Sequence, residues 1–337
     1  MTTQYIELNQ RLSPNAVELL GHINAIDSEG EKFDYANTKL KLMADGVPDV
    51  QIQKAFEFHK RYAAQSISRL KTLNHIYREL NSPSDVVVML FCENFLPFFD
   101  TWLMSCDRNS INVRDRLIIF TLDQASEDRM SDMGIKSCFL DPELYLPAGN
   151  SQNFGDQLFR DTVLYKNAII LDVLNLGTSV LFQDVDLIWF NNPFTYLQSH
   201  CTQGDIWAMY DGPNGLYAPV YANSGFLYIR PTKISKAVFE TALGNSTSIL
   251  QEGSEQSPLN QIFDFFMQHK ALRLEILPQH LFLNGHLFNL VTGISSDAGD
   301  WKVNGIVFHY SWTTNRKEKI EKLNKFEMNY LNLQNID

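Results

Sequence analysis

Ser179-Val-Leu-Phe-Gln-Asp-Val-Asp-Leu-Ile-Trp-Phe190 is the stretch from which the rest of the chain can be read. Residues 179–183 read as a short buried strand, and the strand runs directly into Asp184-Val-Asp186. Ligands of open parallel α/β sheets bind at the carboxyl ends of strands, so the place of these two acids matters as much as their identity. Apolar sequence flanks the pair on both sides. Burying an ionised carboxylate costs several kcal/mol unless a cation or hydrogen bonds compensate, and a hard divalent ion bridging phosphates is a common solution. Asp-x-Asp alone is a weak pattern, so the context has to decide.

Upstream, the breaker Asn81-Ser-Pro-Ser-Asp85 precedes Val86-Val-Val-Met-Leu-Phe91, a continuous apolar run of the parallel-strand kind. The pattern then predicts a helix over 95–105, a strand over 116–122 ending on Asp123, and a helix over 127–133, which is a βαβ rhythm. A polar loop over 147–154 leads to a helix over 156–176 that stops at Gly177, the left-handed position glycine takes most cheaply. Downstream of Pro193 the chain becomes mixed. Strands are expected over 205–210 and 225–230, helices over 235–243 and 258–269, and a strand over 305–308 that delivers His309. A Lys/Glu-rich helix over 315–330 closes the chain, and its charge run reads by itself as a solvated face. Residues 1–80 carry helix formers at helical spacing, clearest over 52–70.

Composition narrows the classes further. With 337 residues, 45% of them hydrophobic, the chain can bury a large core and is not a disordered protein. No repeat is visible. Lys and Arg total 28 against 39 Asp and Glu, and a formal charge of −11 argues against nucleic acid as a partner. The start has no basic segment followed by an apolar one, and no apolar run approaches the ~18–20 residues of a membrane span. Cys92, Cys106, Cys138 and Cys201 are scattered, which fits reduced thiols better than a disulfide frame or a zinc site. The chain as given therefore reads as soluble and cytoplasmic.

Four blocks in fixed order raise the weight of the acid pair. They are Lys166 with Gly177-Thr-Ser-Val-Leu-Phe-Gln-Asp-Val-Asp-Leu-Ile-Trp-Phe-Asn-Asn-Pro193, then Asn223-Ser-Gly-Phe-Leu-Tyr-Ile-Arg-Pro-Thr232, Glu255-Gln-Ser-Pro-Leu-Asn260, and His309-Tyr-Ser-Trp312 with Lys317. Over roughly residues 83–320 the chain resembles the nucleotide-diphospho-sugar transferases of GT-A type, the family that includes plant cell-wall xylosyltransferases and related α-galactosyltransferases.

That resemblance implies a GT-A, Rossmann-like α/β fold with a mixed, mainly parallel central sheet flanked by helices. Residues 1–82 are then a helical extension, 83–193 a nucleotide-binding half, 194–320 an acceptor half and 321–337 a helical tail. The implied activity is metal-dependent transfer of a sugar from a nucleotide-diphosphate donor, a UDP-sugar first, to a hydroxyl of a glycan or glycoprotein. Asp184, Asp186 and His309 would hold Mn²⁺ or Mg²⁺, with Asp184 also against the ribose. Lys166 and Lys317 would neutralise phosphate charge, while Phe91, Glu93, Asn94 and Asp123 would line the nucleoside pocket. Ser224, Gly225 and Trp312 complete the implied donor site. The resemblance points to retention of anomeric configuration, which needs no dedicated base; Gln256, Glu255 and Asn223 would hold the sugar and stabilise its positively charged transition state. Where the family often has Asp-Gln, this chain has Glu255-Gln256, an acid one methylene longer.

Plainer readings stay open for each residue. His309 alone could be a core histidine, Lys166 a surface lysine, Asp123 a helix cap and Asn223-Ser-Gly225 a turn. Trp189, Tyr210, Phe226 and Trp312 suit a core as well as a stacking platform. Two other function classes compete: a haloacid-dehalogenase-like phosphatase, whose Asp-x-Asp lies on the first strand, and a non-catalytic nucleotide- or glycan-binding protein. Residues 1–82 could brace the fold, shape acceptor access or form a homo-oligomer contact.

Overall fold

The computed structural model describes residues 46–140, 157–213, 221–287, 305–313 and 317–321, together with Met43. Most of the first half of the helical extension, the polar loop over 147–154 and nearly all of the C-terminal tail lie outside the described residues. Strands β1 (Asp85–Phe91), β2 (Leu117–Thr121), β3 (Ser137–Phe139) and β4 (Ser179–Gln183) run parallel in the order β3-β2-β1-β4. Beyond β4 the sheet becomes mixed. β7 (Ala222–Ile229) is antiparallel to β4, β6 (Ile206–Tyr210) is antiparallel to β7, and β8 (Leu274–Ile276) is parallel to β6. This seven-stranded sheet is the mixed, mainly parallel α/β architecture expected from the sequence.

A second sheet was not legible. β5 (Leu187–Trp189), β10 (Val307–His309) and β9 (Phe282–Asn284) form three short strands in the order β5-β10-β9. The acid pair therefore sits where the chain leaves the large sheet and enters the small one.

Alternation along β1 divides the core. Val86 and Val88 face one apolar cluster, while Val87, Met89 and Phe91 face the other. The first is covered by α5 (Gln157–Leu174), α7 (Lys233–Gly244), α8 (Ser246–Glu252) and α9 (Gln256–Gln268). On the second face, α3 (Leu96–Arg108) brings Trp102 edge-on to Trp189, with ring centroids 5.4 Å apart. All four cysteines are free and buried, and burial pushes the Cys92 thiol up to about 11 and those of Cys138 and Cys201 to about 12. Such thiols are inert at neutral pH. Among the described residues no helix is long and apolar enough to cross a membrane.

The helical pattern over 52–70 proves to be two helices, α1 (Asp49–Ala64) and α2 (Ser66–Glu79), which meet at Gln65. Arg69 locks the pair onto the domain. Its Nε donates to Asp172 Oδ2 at 2.8 Å and its Nη1 to the Tyr62 carbonyl at 2.7 Å. Its guanidinium lies 3.5 Å from the Tyr62 ring centre, and the Tyr62 hydroxyl donates to the same Asp172 oxygen at 2.6 Å. Asp172 lies on α5, the helix that also carries Lys166.

His59 on α1 adds a pH dependence. Its Nε2 lies 2.9 Å from Ser246 Oγ, and burial lowers its pKa from 6.5 to about 4. The unfolded chain takes up a proton near pH 6.5 that the folded chain refuses until about pH 4, so stability falls as pH drops through that window. Discounted for the partial exposure of the ring, the loss is about 2 kcal/mol. His59→Gln is expected to shrink the difference between urea unfolding free energies at pH 7 and pH 4.5 by that amount.

Candidate active site

Strand register builds the site. Gln183 pairs with Phe226 across β4 and β7, so Asp184 falls beside Gly225 and its N–H donates to the Gly225 carbonyl at 2.9 Å. Leu187 pairs with His309 across β5 and β10, and the Tyr310 N–H donates to the Asp186 carbonyl at 3.0 Å. Two independent registers thus bring Asp184, Asp186 and His309 together, each offering one ligand atom within 4.8 Å of the others. Gly225 is required by the packing: a Cβ there would collide with the Asp184 carboxylate and the His309 ring.

Each acid already faces a cation. Lys166 Nζ is 3.0 Å from Asp184 Oδ1 and also bonds Glu255 Oε1, and Ser224 Oγ donates to that same Glu255 oxygen at 2.8 Å. Burial opposes the charge on Lys166, yet Asp184 and Glu255 push its pKa above the ordinary lysine value. Lys319 Nζ lies 2.5 Å from Asp186 Oδ2. Burial likewise disfavours the Asp186 anion, but Lys319 and His309 outweigh it and hold the carboxyl far below the usual range. Asp211 accepts from Asn223 Nδ2 and, at 2.8 Å, from Gln256 Nε2; burial raises its pKa against those bonds.

These residues fit a divalent cation. Two carboxylates and an imidazole are the oxygen and nitrogen donors that Mn²⁺ accepts, and Mg²⁺ takes the carboxylates. His309 is 3% exposed, and its Nε2 stands 3.5 Å from Asp186 and 3.7 Å from Asp184, longer than good hydrogen bonds. Among the described residues its Nδ1 is buried without a partner. An ion seated between Nε2 and the two acids would give that nitrogen the close partner it lacks.

Not every expected residue reaches the site. Phe91 does not: it is fully buried and stacks on Phe99 at 4.9 Å, because the alternation of β1 turns it into the core. Asp123 caps α4 (Gln124–Asp132) by accepting from the Ser126 N–H at 2.9 Å, and its other oxygen accepts from the Glu93 N–H at 2.7 Å. The cap and the tether of the Glu93–Asn94 loop are thus one side chain. Asn223, Ser224 and Gly225 form no turn; they are residues of β7, opposite an irregularity in β6 at Ala208 and Met209. Lys317 is 87% exposed and faces Glu321 at 3.9 Å, whereas Lys319 enters the site. Trp312 is half exposed, lies tilted against His286 with ring centroids 4.7 Å apart, and donates from Nε1 to the Asp211 carbonyl. Lys317→Ala is accordingly expected to leave the calorimetric Kd for UDP within about twofold of wild type, the scale of an exposed ion pair.

Asp211, Lys319 and His286 were missed. Asp211 follows an apolar strand directly, as Asp123 and Asp184 do, and the same rule would have found it. Lys319 lay inside a charge run that gives no local reason to rank it above Lys317.

The sequence profile of the nucleotide-diphospho-sugar transferases matches residues 112–323, well over half of the chain, and it spans the whole acid-and-histidine cluster. The chain belongs to that family. As a glycosyltransferase it uses a nucleotide-sugar donor, and the phosphatase reading falls away. The transferase is 22% identical over 259 residues to a UDP-D-xylose:L-fucose alpha-1,3-D-xylosyltransferase of Arabidopsis thaliana, covering 72% of this chain and 69% of that protein. It is 29% identical over 202 residues to a beta-arabinofuranosyltransferase of the same plant, covering 55% of this chain but 37% of that one. Among solved structures, galactosyltransferase LgtC in complex with donor and acceptor sugar analogues aligns with 72% of the transferase and 93% of its own chain, at 12% identity and a TM-score of 0.44.

Proposed function

We propose that this transferase moves a pentose from a UDP-sugar to a hydroxyl of a glycan acceptor, in a reaction that requires Mn²⁺ or Mg²⁺ and retains the anomeric configuration. The observation that carries the metal requirement is the meeting of Asp184, Asp186 and His309 at the end of β4. A bound divalent ion would supply Lewis-acid stabilisation of the departing diphosphate. The pentose is favoured by the names of the xylosyl- and arabinofuranosyltransferase relatives.

The protein's own groups divide the remaining work. Lys166, buried and fixed by two acids, places a permanent positive charge beside Asp184 where phosphate charge develops. Glu255 and Gln256 open α9 beside Ser224, and among the described residues Glu255 Oε2 is buried without a partner, an acceptor available to a sugar hydroxyl. Retention is supported by how the acids are engaged. Asp184 is tied to Lys166, and both Asp211 oxygens accept from amides, so neither is poised as a base for an acceptor hydroxyl. The bond from the anomeric carbon to the diphosphate then breaks as the acceptor oxygen bonds on the same face. The acceptor proton passes to the departing phosphate oxygen.

Incubation with UDP-xylose, UDP-arabinose and UDP-galactose and a panel of free sugars tests this reading, with the anomeric configuration of the product read by NMR. A single α-linked pentoside from an α-linked donor is expected. An inverted product would remove retention, and transfer from UDP-galactose alone would remove the pentose.

A further inference from the structure

The two carboxylates of the cluster are neutralised by different kinds of lysine. Lys166, with a side chain 10% exposed, is held by Asp184 and Glu255 and lies 5.1 Å from the centre of the Phe182 ring. It has no room to leave. Lys319 is 24% exposed, comes from the C-terminal part of the chain, and among the described residues its ammonium pairs with Asp186 alone. Its flexible four-carbon stem can swing the head group to solvent or to another anion.

We propose that Lys319 is a placeholder cation on Asp186, which couples uptake of the divalent ion to binding of the donor diphosphate. This rests on the metal-site reading above. Asp186 points Oδ1 toward His309 and gives Oδ2 to Lys319, so an ion shared by the three donors would lie close to the ammonium. Two cations on one carboxylate repel, and the lysine has to give way. With no diphosphate present, the displaced ammonium loses its anion and gains only water. With a nucleoside diphosphate in place it acquires a new, stronger partner in a phosphate oxygen. Free metal is therefore held weakly and metal with diphosphate tightly, and by linkage the diphosphate gains from the metal by the same factor. Empty of donor, the site stays neutralised without scavenging metal.

The test is Mn²⁺ titration followed by calorimetry and by loss of the free-ion EPR signal, with and without saturating UDP. Wild type is compared with Lys319→Met and Lys319→Arg, each first checked for wild-type thermal unfolding. Lys319→Met is expected to bind Mn²⁺ alone about tenfold or more tightly than wild type, with UDP improving that affinity much less. Lys319→Arg, which keeps the charge, is expected to retain the weak affinity for free ion. Equal affinity of wild type and Lys319→Met for free Mn²⁺ would overturn the placeholder role while leaving the metal site intact. No Mn²⁺ uptake by any of the proteins, with or without UDP, would overturn the metal-site reading and the placeholder with it.

Discussion

Asp186→Asn is expected to lower sugar-transfer kcat roughly 100- to 1,000-fold at saturating donor while leaving the protein folded. The asparagine keeps the shape of the side chain and removes the charge that Lys319 and His309 stabilise. An amide oxygen is a much poorer ligand for a hard cation, and several kcal/mol of leaving-group stabilisation depends on that cation. Lys319 is partly exposed and can turn to water, so the substitution leaves no ammonium trapped in the core. Circular dichroism should therefore give a melting temperature close to wild type. Wild-type turnover with undiminished response to added Mn²⁺ would remove Asp186 from the site.

Gly225→Ala is expected to act almost as strongly from a residue with no side chain of its own. The new Cβ would overlap both the Asp184 carboxylate and the His309 ring, so both ligands have to move. Gly225 lies mid-strand in β7 and its carbonyl holds the Asp184 N–H, so the backbone cannot retreat to make room. Overpacking of this kind costs about 1–3 kcal/mol of stability. Displacing catalytic groups by about 1 Å lowers turnover on the order of 100-fold. Kinetics and urea unfolding on the same preparation separate the two effects. A variant that unfolds a little earlier yet transfers sugar at the wild-type rate would show that the cluster tolerates rearrangement.

What could be read from the sequence follows from how local each signal was. β4 and its two acids were legible because an apolar run ending in charge is complete within eight residues. β1 and β2 were legible for the same reason. The small sheet was not, since β5 is three residues long and its identity depends on pairing with β10 far along the chain. Phe91 illustrates a different limit. Its strand was read correctly, but alternation decides which side of the sheet a residue faces, and here it packs the ring into an apolar cluster against Phe99. Lys317 and Lys319 are two residues apart, and nothing in a run of mixed charge ranks one above the other. Only the return of β10 to β5, which carries the following helix back over Asp186, selects Lys319.

The central claim is that Asp184, Asp186 and His309 make donor chemistry depend on a divalent ion. Hydrolysis of UDP-xylose and UDP-arabinose by the wild-type protein, measured with added Mn²⁺ and again after chelation, tests it most directly, since neither an acceptor nor a variant is needed. UDP release is expected from at least one donor with Mn²⁺ present and none above background in the chelated sample. Equal release with and without the metal would contradict it.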